Sequence, residues 1–188
     1  MIDCLLTLGG VGVTLDRPVE VPLQGAYGQN NKGFLFQHDT ESFSSLRIAS
    51  EAAMRMRPWL ISIGEIRSQE EARMAIEQGA NGHFVIAGMH AESCIGALNK
   101  LAYLTGDPQT AFFTMASCLI GVTNQKMFRS AFEKRMELNA LFFDNTMGPR
   151  DMVRSGNTHL LTTPMEQQFE AMKRDELPIY GSSDVAGY

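Results

Sequence analysis

LISIGEIR, residues 60–67, is the stretch on which the fold turns. Leu60 to Ile63, mostly apolar, run straight into Gly64 and then into a carboxylate, Glu65, followed by Ile66 and Arg67. A short apolar run closed by a turn residue reads as a buried strand. Two other stretches repeat the pattern: GVTLD (12–16) delivers Asp16, and HFVIAGMH (83–90) delivers His90. Helical patterns separate the three. Apolar strands alternating with helices imply an α/β chain with a covered, parallel sheet. In such sheets ligands sit beyond the carboxyl ends of the strands. That edge would carry Asp16 and Glu20, Glu65, and His90.

The sequence around these strands is punctuated clearly. Residues 1–8 read as the end of a helix stopped by Gly9 and Gly10. Pro18 and Pro22 force an extended or turning path. The Gly/Asn/Gln-rich stretch 23–40 reads as a loop with a short strand at GFLFQ. Thr40 or Ser42 is expected to cap a helix running to Met56, before Pro58. Ser68 with Glu71 three residues on forms a capping box for a helix over 68–79. A strand over 83–89 precedes a helix over 93–104. TGDPQ (105–109) marks the boundary between residues 1–105 and a helical appendage over 106–188. The appendage is expected to hold a helix over 109–122, strands near 125–129 and 135–143, helices over 148–155 and 164–174, and a disordered tail.

The bulk numbers bound the class. At 188 residues, with 44% hydrophobic and 20% charged content, the chain can bury a real core. Its net charge of −5, with no Lys/Arg run, argues against a nucleic-acid partner. Three cysteines without CxxC spacing, Cys4, Cys94 and Cys118, fit a reducing compartment and neither a disulfide scaffold nor a zinc site. The apolar stretch at 111–122 is too short to span a bilayer, and the first ten residues lack a signal peptide's basic start. The twelve methionines read as core filler.

Each candidate group also has a structural reading. Glu65 could cap a helix or pair with a base, Asp16 and Glu20 could form a charged turn around Arg17 and Pro18, and His90 could cap the next helix. His83 opens its strand and belongs at the opposite sheet edge. Together the groups suggest a site. A glutamate can orient or deprotonate water, a second acid can hold Mg²⁺ through waters, and a neutral histidine can hydrogen-bond a terminal phosphate. That set suits phosphoryl transfer. A metal hydrolase using His83, His90 and Glu65 is disfavoured, because seven residues of strand separate the histidines by roughly 20 Å at about 3.3 Å per residue. A phosphate loop of the form GxxxxGK(S/T) is missing: none of the five lysines has that context.

Three boxes in register carry a family resemblance. TLDRPVE (14–20) is similar to the acidic box T-I-E-D-P-(I/V)-E of the hexameric secretion ATPases, the motors of type IV pili, type II secretion and type IV secretion or conjugation. ISIGEIRS (61–68) resembles their atypical Walker B segment, and NGHFVIAGMHAES (81–93) their histidine box. GVTNQKM (121–127) and MVRSGNTHLL (152–161) look like the end of the motor domain. The resemblance implies a RecA-like P-loop NTPase core, partial here, with a small, mainly helical C-terminal part. It implies ATP and Mg²⁺ as cofactors, with Asp16 and Glu20 as the magnesium- and water-positioning acids. By the same resemblance Glu65 is the general base, His90 reaches the γ-phosphate, and Arg67 and His83 support the nucleotide. It further implies a cytoplasmic homo-hexamer at the inner membrane, partnered by a membrane platform protein.

Departures from the family pattern qualify this. Arg17 replaces an acid, Trp59 stands where Asp follows Pro, and Ser68 replaces the Asp after Arg67. The family's phosphate loop lies just before the acidic box, so the chain reads as beginning after it. Alone it is expected to be inactive and to associate through exposed sheet edge. The alternative is a non-catalytic module that keeps the ring interface.

Overall fold

The computed structural model describes residues 2–7, 9–129, 134–143 and 147–174. In chain order these form α1 (Ile2–Leu6), β1 (Gly10–Asp16), β2 (Gly25–Tyr27), β3 (Gly33–Asp39), α2 (Leu46–Met54), β4 (Leu60–Ile63) and α3 (Gln69–Ala80). There follow β5 (Phe84–Ala87), α4 (Cys94–Leu104), α5 (Pro108–Cys118), β6 (Gly121–Arg129), β7 (Lys134–Phe142), α6 (Met147–Arg154) and α7 (Thr162–Lys173). The tail beyond residue 174 lies outside the described residues, and so does the expectation of disorder there.

The apolar runs are strands of one sheet, of order β2-β3-β1-β4-β5. The pairs β1–β3, β1–β4 and β4–β5 are parallel, and β2 runs antiparallel on β3. Val13, Leu15, Ile61 and Ile63 are buried against Ala49 and Ala53 of α2 and Ala72, Met74 and Ala75 of α3. Leu35 and Leu60 meet Leu6 of α1 in a separate apolar cluster. Register decides where the chemistry goes. Leu15 is level with Ile63, and Ile63 with Ala87, so Asp16, Gly64 and Gly88 leave the sheet at one height.

Several boundaries differ from the sequence expectation, each for a local reason. Thr40 does not cap α2. Its hydroxyl donates to Asp16 O (3.1 Å), and residues 40–42 form a 3₁₀ turn capped by Asp39. The N-cap of α2 is Ser45, which accepts from Ile48 N, and the helix ends at Met54. The helix expected to reach 122 stops at Cys118, because Leu119 is extended and Gly121 already pairs with Phe142. The strand expected over 83–89 is the shorter β5. The capping box at Ser68 is present as expected.

The C-terminal part contains helices and the β6–β7 hairpin, in the region where two strands are expected. Its core of Phe112, Met115, Leu141, Phe143, Val153 and Leu161 includes Ile76 of α3 and Leu98 of α4. Packing is therefore continuous across the turn at 105–107. Gln168 of α7 closes part of the β7 edge: its Oε1 accepts from Phe142 N and its Nε2 donates to Phe142 O, both at 2.8 Å.

Candidate functional site

Close backbone approach draws three strand ends together. A Cβ at Gly64 would lie 2.9 Å from Asp16 Oδ1, and a Cβ at Gly88 would lie 2.4 Å from Gly64 O. Glycine is needed for space against backbone at Gly88, while at Gly64 its lack of a side chain lets the acid of β1 reach the turn that bears Glu65. Two backbone bonds fix that turn: Gly64 N to Leu15 O (3.1 Å) and Ile66 N to Gly88 O (2.8 Å).

Beyond these ends lies a cleft of about 270 Å³, lined among others by Asp16, Arg17, Glu20, Gln37, Glu65 and Arg67. The Asp16 Oδ2 atom accepts from Thr14 Oγ1 and from Gln37 Nε2, both at 2.8 Å. Glu65 Oε2 accepts from Arg67 Nε (2.7 Å), and the two side chains form an ion pair. Glu65 Oε1 lies 3.5 Å from His90 Nε2. The His90 side chain is 90% exposed, whereas that of Glu65 is 25% exposed. Arg67's hydrogen bond, more than any other influence, holds the Glu65 carboxyl below the usual range, and the charges of Arg67, His90 and Lys100 add to it. The partner effect raises Arg67, chiefly through its bond to Glu65, with smaller help from Glu71 and Glu20.

Glu71 is buried and structural. Its Oε2 accepts from Arg67 N (2.7 Å) and Ser68 N (2.8 Å), which fixes the segment presenting Arg67. His83 stands away from the cleft, at the amino end of β5, and its Nδ1 donates to Pro58 O (2.7 Å). The structure thus brings Asp16, Glu20, Glu65, Arg67 and His90 to one edge and leaves His83 at the other. Among the described residues no group of three His, Cys, Asp or Glu side chains could enclose a metal ion.

Residues 11–167 match the family described as "Type II/IV secretion system protein". The chain belongs to that family. Among relatives of this secretion family, it is 30% identical over 118 residues to type II secretion system protein E of Pectobacterium carotovorum subsp. carotovorum. That match covers 63% of this chain and 22% of the relative. It is 30% identical over 120 residues to the type IV pilus assembly ATPase PilB of Thermus thermophilus, covering 64% of this chain and 12% of that one. The fold is similar to the pilus retraction motor PilT solved with bound ADP: TM-score 0.74, 19% identity, 89% of this chain and 48% of that chain. It is also similar to the Legionella pneumophila ATPase DotB: TM-score 0.64, 18% identity, 86% of this chain and 48% of that chain. The matched region is thus about a fifth or less of these curated relatives and about half of these solved structures. The sheet and its helices share the fold of these solved structures.

One cleft residue of this family member escaped the sequence reading. Gln37 of β3 donates to Asp16 Oδ2 and to Val21 O (3.0 Å), while its Oε1 accepts from Leu23 N (2.8 Å). It therefore orients Asp16 and also pins the loop that carries Glu20. Its only sequence signal is an amide directly after the apolar GFLF run of β3.

Proposed function

We propose that this chain carries the acidic, water-handling side of an ATP site in a ring-forming motor for type IV pilus assembly, conjugation or protein secretion. The observation that carries this is the meeting of Asp16, Glu20, Glu65 and His90 at one carboxyl edge of a secretion-family sheet. Bound Mg²⁺ would neutralise charge developing on the phosphates. Magnesium keeps most of its waters and needs only one or two carboxylates. Asp16 and Glu20 fit that role through water, and the lack of a three-ligand cluster among the described residues is compatible with it. Glu65 sits where a water attacking the terminal phosphate could be oriented. With Oε2 bound to Arg67 its carboxylate is a weak base. It therefore acts by placing water through Oε1, and gains basicity when Arg67 turns away. Exposed His90 is free to meet the phosphate.

The phosphates need a cradle, and no GxxxxGK(S/T) segment occurs in these 188 residues. A second reading is a non-catalytic module that keeps the ring interface of such a motor. In either reading the partners are further copies of the chain and a membrane platform protein at the cytoplasmic face. The test is steady-state ATP hydrolysis by this chain joined to a phosphate-loop segment. Turnover that Glu65→Gln reduces by a hundredfold or more supports the motor. Unchanged turnover in Glu65→Gln removes Glu65 from the chemistry, and no turnover in the unsubstituted protein favours the module.

A further inference from the structure

His90 belongs to a loop, residues 88–93, with no regular structure. Its side chain is too exposed for packing to place it, so its position follows the backbone. The loop is held at one end by Ile66 N on Gly88 O and at the other by Ser93, which caps α4. Between these anchors two consecutive carbonyls accept from side chains. His90 O accepts from Lys100 Nζ (2.7 Å), and Ala91 O accepts from Asn124 Nδ2 (2.9 Å). Lys100 lies on α4, the helix the loop leads into. Asn124 comes from the C-terminal hairpin.

Asn124 is out of character for its position. It is the one buried residue of β6, 9% exposed, where a strand ordinarily places a branched apolar side chain. A buried amide is costly unless its hydrogen bonds are made. Its Oδ1 is buried without a protein partner. The amide is therefore kept for what Nδ2 does, which is to hold Ala91. Nearby, Cys94 Sγ makes long contacts with the hairpin, to Val122 O (3.6 Å) and Asn139 O (3.5 Å), and also feels the Asn124 backbone. These dock the hairpin on α4 without touching the loop.

We infer that Asn124 is a positioning residue: its amide holds the backbone beside His90, and so ties the imidazole's place near Glu65 to the C-terminal hairpin. The inference rests on the proposed role of His90 and Glu65 for its catalytic meaning, though not for its structural content. A shift of the hairpin would move Ala91 and carry His90 away from Glu65. The C-terminal part would thereby gate the site.

The experiment uses NMR of the 188-residue chain with Asn124→Val and Asn124→Ala. Valine suits a buried strand position, so folding is safeguarded. The expected result for Asn124→Val is retained or higher thermal stability, with the ¹⁵N order parameters of His90, Ala91 and Glu92 lowered. In the native background Glu65→Gln should shift the His90 ring resonances, and in the Asn124→Val background that response should be lost. Cys94→Ala, which removes the long thiol contacts but leaves the Ala91 bond and the apolar packing of the hairpin in place, should leave the loop unchanged. The inference is overturned if either folded Asn124 variant keeps the native loop order parameters and the native His90 response, or if Cys94→Ala gives the same effect. In the protein joined to a phosphate loop, Asn124→Val should lower kcat about tenfold with little change in KM for ATP. Normal turnover in Glu65→Gln would sink the catalytic reading and leave the NMR result standing.

Discussion

At the residue scale, Glu65 and Arg67 define what the site can do at rest. A carboxylate bonded to a guanidinium is favoured in its charged form, which is why its pKa falls. A folded-state value below the unfolded one adds stability that is present above the unfolded pKa. That stability is lost as pH falls through the folded pKa. Arg67 is largely exposed, so solvent screening keeps the effect small. The expectation is that Arg67→Ala returns the Glu65 carboxyl towards its ordinary range. The difference in stability from the unsubstituted chain should be present at neutral pH and vanish in acid. Carboxyl carbon NMR titration, with thermal melts at each pH, checks both parts; an unmoved Glu65 titration would count against the pair. Gln37 gives a second expectation at this scale. Gln37→Ala removes three hydrogen bonds and frees the loop bearing Glu20, at about 1–3 kcal/mol of stability. Hydrogen exchange should quicken at Leu23, whose N–H loses its acceptor, while α5 is unaffected.

At the element scale, two glycines set the distances between strand ends, and they should respond differently. A methyl at Gly88 meets the backbone carbonyl of Gly64, which cannot turn aside. Gly88→Ala should cost about 1–3 kcal/mol as β5 is forced away from β4. A methyl at Gly64 meets the end of the Asp16 side chain. Gly64→Ala should cost little stability and instead displace the Asp16 carboxylate; in the protein joined to a phosphate loop, the proposed ATP hydrolysis should fall more than Tm. Denaturant melts beside an activity assay separate the two, and equal losses of stability would refute the contrast. What could be read from sequence was local. Apolar runs ending in Asp16, Glu65 and His90, the Ser68–Glu71 capping box and the hairpin region all announce themselves within a few residues. Long-range pairing does not. Nothing in GFLFQ says that β3 pairs with β1, or that β2 turns back on β3. Ser45 wins the α2 cap because Thr40 is bound to Asp16 O, 24 positions away in the chain. Gln37 and Asn124 act through side-chain amides on loops far from them in sequence, and so leave no periodic trace.

At the scale of the whole molecule, two kinds of surface remain open. β5 and β2 end the sheet, and β5 is nowhere fully buried. The hairpin adds an apolar face. Met127 opposes Met136, and Leu138 and Phe142 share that side by the two-residue period of the strand. Their exposures are 75%, 60%, 43% and 37%. Gln168 closes the β7 edge only at Phe142, while β6 has no second neighbouring strand among the described residues. An apolar face beside an open strand edge favours association. The expected outcome is concentration-dependent self-association in multi-angle light scattering. Because apolar contacts are not screened as charges are, half-molar salt should leave the measured mass unchanged. The pair Met127→Lys with Leu138→Glu should restore the monomer mass without lowering Tm, since both side chains face water in the single chain. A monomer at all concentrations would overturn the expectation. Association that survives the double substitution would move the contact from the hairpin to the β5 edge, where Ala87→Lys, at the exposed position of that strand, would be expected to break it.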